Sequence, residues 1–260
     1  MSRGVRGDLP LRPDRFAPLD PRDAEELLRG VAAHDEARAL SLAFVPDEAR
    51  AAALVACAFV AEAASIPARV SDPTLGLVRV QWWREALEEV FGGGPVRAHP
   101  LARGLRAVMP PEHRAALEAV LDAMPTFLEG GGGEPLALLS STDGALSDLL
   151  AQLMGADEGL AARAGALAAL GQTAAAPPPA ARSPQIETPR QRAARMLTRT
   201  PADLTQRLEE LRGAWPRQPA DGLVIASLPL ALTAGHAQGR VPGPLRTRLA
   251  MTRMMLRGRP

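Results

Sequence analysis

Acids set four residues apart share a helix face, where their oxygens can meet a hard divalent cation or pair with arginine. In this chain of 260 residues the pairs at that spacing are Glu85/Glu89 and Glu118/Asp122, and no two of the 13 aspartates stand four apart. Glu85 and Glu89 follow a Trp-Trp-Arg block in a pattern that points them outward. Arg114 precedes Glu118 by one turn. Both pairs are therefore expected on solvated, ion-paired faces, with no metal. His34, His99, His113 and His236 are scattered, with no metal-ligand spacing and no HExxH pattern, and are expected to be individually exposed or capping. Cys57, the single cysteine, lies in an apolar stretch and reads as buried packing. It can form neither an internal disulfide nor a thiolate zinc site, which fits a reducing compartment.

The absences exclude further chemistry. All 30 basic residues are arginine, and lysine, asparagine and tyrosine do not occur. A Schiff base, a pyridoxal-phosphate anchor, a phosphate-loop lysine and a phenolic acid or base are all ruled out. The glycine runs 92–94 and 130–133 lack the helix that a phosphate loop needs and read as loops. A net charge of +1 gives no footprint for nucleic acid.

The elements that must position these residues read as helices. Alanine (50) and leucine (37) dominate, aromatics are 3%, and no strand alternation is long enough to trust. Asp20-Pro21 opens a helix expected to run to about Leu42, and Pro46-Asp47-Glu48 opens one that is apolar nearly all round from Ala51 to Ala61 and ends at Ser65. Ser71-Asp72-Pro73 caps the next, whose stripe is read as Leu75, Val78, Trp82, Ala86 and Val90. Helices are expected over 100–109, 111–128, 135–154, 157–171, 190–212 and 221–238, with five prolines forbidding a regular helix throughout 171–189. Residues 240–260 hold six arginines and no acid. Pro244 to Arg257 can form a helix with Leu245, Leu249, Thr252 and Leu256 on one face and Arg246, Arg253 and Arg257 on another. An ordinary terminal helix with a frayed basic tail is the plainer expectation; contact with an anionic membrane surface is the other. The first residues carry no apolar core of a signal peptide, and the longest apolar run, Gly222 to Gly235, is too short to span a bilayer. The expected place is the cytoplasm, with peripheral attachment to the inner membrane as a variant. The expected organisation is a flexible segment at 1–19, an all-α single-domain bundle at 20–238, and a basic tail or helix at 239–260.

One stretch is specific. Residues 44–93, FVPDEARAAALVACAFVAEAASIPARVSDPTLGLVRVQWWREALEEVFGG, followed by His99-Pro100-Leu101-Ala102, resemble the squalene/phytoene synthase family. The most diagnostic part is the block Val78 to Leu87, with Arg79, Gln81, Trp82, Trp83 and Arg84. The likeness thins after 130, where Ala181 to Pro189 stand in place of an Arg-rich turn and Leu228 to Leu232 resemble the last core helix. The resemblance implies an all-α isoprenoid-synthase bundle around a central cavity. Active members join two prenyl diphosphates head to head, using two aspartate-rich motifs that hold Mg²⁺. Arg79 and Arg84 then either line the cavity or pair with nearby acids, and Trp82 and Trp83 are motif residues that also suit core filling.

This chain departs from that pattern at both motifs. The first should fall at about 57–70, where Glu62 is the only acid and Asp72 follows ten residues later. The second should fall near 171–180, where GQTAAAPPPA has none and its prolines break the helix. A non-catalytic branch of the family, which includes the mitochondrial assembly factor for respiratory complex I, shares such losses. The leading expectation is accordingly a catalytically silent protein, without cofactor, that assists assembly of a membrane complex and meets its subunits or intermediates. One alternative is an active prenyl transferase with Mg²⁺ on a non-standard site built from Glu62 and Asp72. Another is a protein whose cavity holds a prenyl or lipid chain.

Overall fold

The computed structural model describes residues 11–130, 133–156, 159–175, 186–196, 201–236, 238 and 240–260. Among them the chain is helical with no strand, which agrees with the all-α expectation. Residues 11–19, read as flexible, are instead docked: a 3-10 turn at Pro13–Phe16 buries Phe16 completely, and Leu19 follows it into the core.

Helix α1 (Pro21–His34) begins where the Asp20 carboxyl accepts the backbone N–H groups of Arg22 and Asp23, and it buries Leu27, Leu28 and Val31. It does not continue to Leu42. Asp35 turns extended (φ −151°, ψ 96°), and its carboxyl accepts the Arg38 N–H at 2.9 Å to start α2 (Glu36–Ser41). Aspartate satisfies free N–H groups better as a cap than within a helix, so the break falls on it.

Helix α3 (Asp47–Arg69) is the axis of the molecule and packs against α1, α4 (Pro73–Gly92), α5 (Pro100–Val108), α6 (Arg114–Leu128) and α8 (Ala145–Leu153). It runs one turn past the expected end at Ser65. Pro67 removes one helical N–H, but full burial of Ile66 and Pro67 holds the last turn in place. By length and composition α3 could cross a bilayer (mean hydropathy 1.8), which the search for apolar runs missed. In this fold 83% of that stretch is buried inside the bundle.

Asp72 caps α4 through the Thr74 N–H at 2.6 Å, and Gly93 ends it at φ +80°, a conformation suited to glycine. The buried face of α4 differs from the stripe read from spacing. Gly76, Val80, Trp83, Ala86, Leu87 and Val90 face inward, while Leu75 and Val78 are 57% and 63% exposed. Gly76 explains the rotation: a Cβ there would overlap the Leu128 side chain of α6, so the glycine marks the side that touches α6.

The second half of the bundle is more broken than its periodicity. The helix expected over 135–154 splits into α7 (Pro135–Leu139), a π-helical turn at Ser140–Gly144, and α8. Helix α9 (Leu160–Ala175) lies against that π turn. Within the charged stretch 190–212 the described helices are α10 (Pro189–Met196) and α11 (Pro201–Ala214), and residues 197–200 lie outside the described residues. The apolar stretch 221–238 divides into α12 (Asp221–Ala226), a 3-10 turn at Leu228–Leu232 and α13 (Thr233–His236). Pro229, which has no N–H to donate, lies in the 3-10 turn that interrupts the stretch.

The C-terminal segment is docked rather than frayed. Helix α14 (Pro244–Arg257) buries Thr247, Met251 and Met254 against α2, α12 and the Leu228–Leu232 turn. The Trp215 indole N–H donates to the Gly258 carbonyl at 2.7 Å. Buried arginines fasten helix ends across the bundle. Arg38 donates to the Ala226 carbonyl and the Ser147 hydroxyl, both at 2.8 Å, and Arg192 donates to the carbonyls of Thr126 and Phe127. These guanidiniums satisfy carbonyls at the ends of α12 and α6 that those helices leave open.

The seam between α9 and the π turn depends on Gly165, where a Cβ would overlap Ser147 and the Asp143 carbonyl. Gly165→Ala should therefore push the two elements apart and cost about 1–3 kcal/mol, read as a lower denaturation midpoint. An unchanged midpoint would show that the seam is looser than described.

Candidate functional site

The breaks in regular helix converge on one cleft of about 620 Å³. The α1–α2 break supplies His34 and Asp35, α3 supplies Ala64, Ser65 and Ala68, and the π turn supplies Thr142 and Asp143. Helix α9 contributes Gln172 and Thr173, α10 contributes Arg190, and His236, Val241, Pro242 and Thr247 close the far side.

At the polar end Arg190 bridges two carboxyl groups. One terminal nitrogen donates to Asp35 Oδ2 at 2.9 Å and also to Asp143 Oδ1, and the other lies 3.5 Å from the His34 carbonyl. The side chains of Arg190, Asp35 and Asp143 keep only 16, 10 and 11% of their exposure. Burial by itself would raise the Asp35 carboxyl, but the Arg190 and Arg38 guanidiniums and the Arg38 N–H outweigh it and hold the group at about 2. Burial pulls Arg190 the other way, yet its two carboxyl partners keep it charged beyond the ordinary arginine value.

Two histidines flank this bridge, and exposed Glu36 lies at the cleft's rim. Burial, with Arg190 beside it, lowers His34, and burial lowers His236 despite the pull of Asp35. The expectation of exposed or capping histidines holds only for His99, which caps α5 by accepting the Leu101 N–H. His113 and His236 are buried. The His236 Nδ1 and Thr173 hydroxyl atoms are buried without a hydrogen-bond partner among the described residues.

The residues singled out from sequence lie elsewhere. Glu62, on α3, is held by Arg69 and by Arg79 at 2.8 Å, and burial's upward push on it is outweighed by those arginines. Asp72 is the α4 cap. Arg84 pairs with Asp122 at 2.7 Å, and Gln81 lies 3.4 Å from Glu85; both border a shallow charged groove away from the cleft. Arg79 and Arg84 are thus paired with acids and are not among the cleft-lining side chains. Trp83 is core, edge-on to Phe59 and to His99, and half-buried Trp82 lies under the Arg97 guanidinium at 4.6 Å. Arg97 also gathers both Glu85 and Glu89, at 2.8 and 3.0 Å, and Arg114 pairs with Glu118 at 2.7 Å. Cys57 is fully buried, and that burial pushes its thiol up to about 12, far from a nucleophile.

Asp35, Asp143 and Arg190 were not found by sequence reasoning. Their signals are weak but physical: His34-Asp35-Glu36 is a cap pattern inside an apparent helix, and Ser140 to Gly144 places five small or polar residues in another.

The Mg²⁺ of active relatives finds no fitting donor set here. The carboxyl groups at the cleft's polar end are occupied by an arginine, and no group of three potential ligands occurs among the described residues. The first motif's place on the cleft wall is taken by Ala64 and Ala68, which hold a spacing of four with methyl groups. Gln172 and Thr173 stand near the second; residues 176–180, the rest of that expected place, and 181–185 lie outside the described residues.

The bridge makes two predictions. The Asp35 carboxyl is lowered in the fold, so its contribution, on the order of 2 kcal/mol, is present above its ordinary value and lost as pH falls toward about 2. Partly buried His34 and buried His236, both neutral, add a decline that begins as pH drops below their ordinary value, because the unfolded chain takes up those protons first. Denaturant titrations across pH should show both steps. Arg190→Met should cost about 3–5 kcal/mol by stranding two carboxyl groups, and adding Asp35→Asn with Asp143→Asn should recover most of it. No recovery in the triple variant would mean that Arg190 acts through packing instead.

No curated protein and no solved structure matches the chain. Comparison with known families matches residues 31–176 to Squalene/phytoene synthase. The matched segment is more than half of the sequence. It contains the α1–α2 break, all of α3 and the π turn, hence most of the cleft wall. On that match, the chain belongs to the squalene/phytoene synthase family.

Proposed function

We propose that this chain is a catalytically silent member of its family that assists assembly of a membrane complex, with respiratory complex I the leading candidate. The observation that carries the silence is the Arg190 bridge. Asp35 and Asp143, two carboxyl groups at the cleft's polar end, are both tied to one protein guanidinium, and the α3 wall presents alanines. Ionisation of prenyl diphosphates needs a cation clamp on the leaving diphosphate, and carboxylates tied to an arginine are poor ligands for one. The assembly role rests on the family block at 44–102 combined with the loss of both aspartate-rich motifs, losses that the family's non-catalytic branch shares.

A second reading is favoured by a separate observation. The cleft is not filled in: its volume is that of an ordinary small-molecule site, and Ala33, Ala37, Ala64, Ala68, Leu232 and Val241 give it apolar walls. It can hold a prenyl or lipid chain without reacting it, and a bound chain is compatible with a role in assembly.

Purified protein supplied with farnesyl or geranylgeranyl diphosphate and Mg²⁺ should release no diphosphate, and deletion of the gene should lower the amount of assembled complex I. Turnover would establish a transferase; normal complex I would remove the assembly role. Native mass spectrometry should find a lipid on the intact protein if the second reading holds.

A further inference from the structure

Helix α14 carries two apolar faces, and the bundle uses only one. At about 100° per residue, Thr247, Met251 and Met254 form the buried side, while Leu245, Leu249, Thr252 and Leu256 fall within roughly 60° of one another on nearly the opposite side. The structure leaves those leucines bare: Leu245, Leu249 and Leu256 are 81, 51 and 82% exposed. Packing has thus selected the methionine face and turned the leucine face to solvent.

The margins of the stripe are basic. Arg248 borders it on one side, and Arg246, Arg253 and Arg257 lie along the other, all exposed. None of the four is in an ion pair among the described residues, and no acid occurs from residue 240 to the end of the sequence. Three leucines with one arginine on one margin and three on the other match a surface with an apolar interior and anionic headgroups. A second copy of this chain is a poor fit, because a two-fold pairing of α14 would set those arginines against one another.

We propose that the outer face of α14 docks on an anionic phospholipid surface, with Leu245, Leu249 and Leu256 inserted among the acyl chains and the flanking arginines at the headgroups. The same segment is a wall of the cleft: Val241, which is 61% exposed, and Thr247, on the inner side of α14, both line it. Docking therefore places one wall of the cleft at the lipid surface. The inference does not depend on the assembly role.

The test uses the full chain and sedimentation with vesicles of phosphatidylcholine alone or mixed with phosphatidylglycerol. Binding is expected on the anionic vesicles only and should weaken with salt. The variants L245S/L249S/L256S and R246E/R253E/R257E should each cut partitioning by roughly tenfold or more. All six positions are exposed, so helicity and melting temperature should be retained. Equal binding to both vesicle types, no binding to either, or arginine variants that bind as well as the parent would each overturn the proposal. So would a dimer in solution that the leucine variants convert to monomer, since the stripe would then be a contact between copies.

Discussion

The architecture turns on one guanidinium. Arg190 reaches from α10 to Asp35 at the α1–α2 break, 155 residues away, and to Asp143 in the π turn, 47 residues away. The Asp35 break and the π turn are irregular at that point, and each irregularity aims a carboxyl group at the first turn of α10. An arginine with two buried carboxyl partners gains little net stability over apolar packing, but it strongly disfavours any arrangement that leaves one of the three alone. The bridge fixes how the two halves of the bundle meet.

The same bridge changes the chemistry of the cleft. In a site built to ionise diphosphates, carboxylates are free to take a divalent cation. Here a fixed monovalent cation is supplied by the chain and cannot leave. Histidines, a glutamine and threonines surround it, so beside the bridged carboxylates the polar end offers hydrogen-bonding groups. The family's all-α scaffold here surrounds a cleft whose two bridged carboxylates are held by the chain's own arginine.

What was legible in the sequence followed from physics that is local. Capping at Asp20 and Asp72, the apolar girth of α3, the helical class and the family block at 44–102 all rest on neighbours in sequence or on short motifs. What was not legible depends on distant partners. The α4 stripe was rotated because Gly76 meets Leu128 from another helix. The break at Asp35 and the π turn at Asp143 are held by Arg190, far along the chain, in a stretch that reads only as charged. The motif residues Arg79 and Arg84 point to ion pairs with Glu62 and Asp122 rather than to the cleft, which spacing on one helix could not decide. The leucines of α14 drew attention correctly as one face, but only packing shows that this face is the outer one.

Helix α3 has a consequence during synthesis. It is apolar on every side and long enough to cross a bilayer, and it is buried only because other helices surround it. Several of those helices, α8 among them, follow it in the chain by tens of residues. At ordinary rates of translation the ribosome needs on the order of ten seconds to supply them. During that interval the nascent chain carries a long apolar segment before most of its bundle exists, and α1 and the Pro13–Phe16 turn, made before it, are the partners of this fold already at hand to cover it.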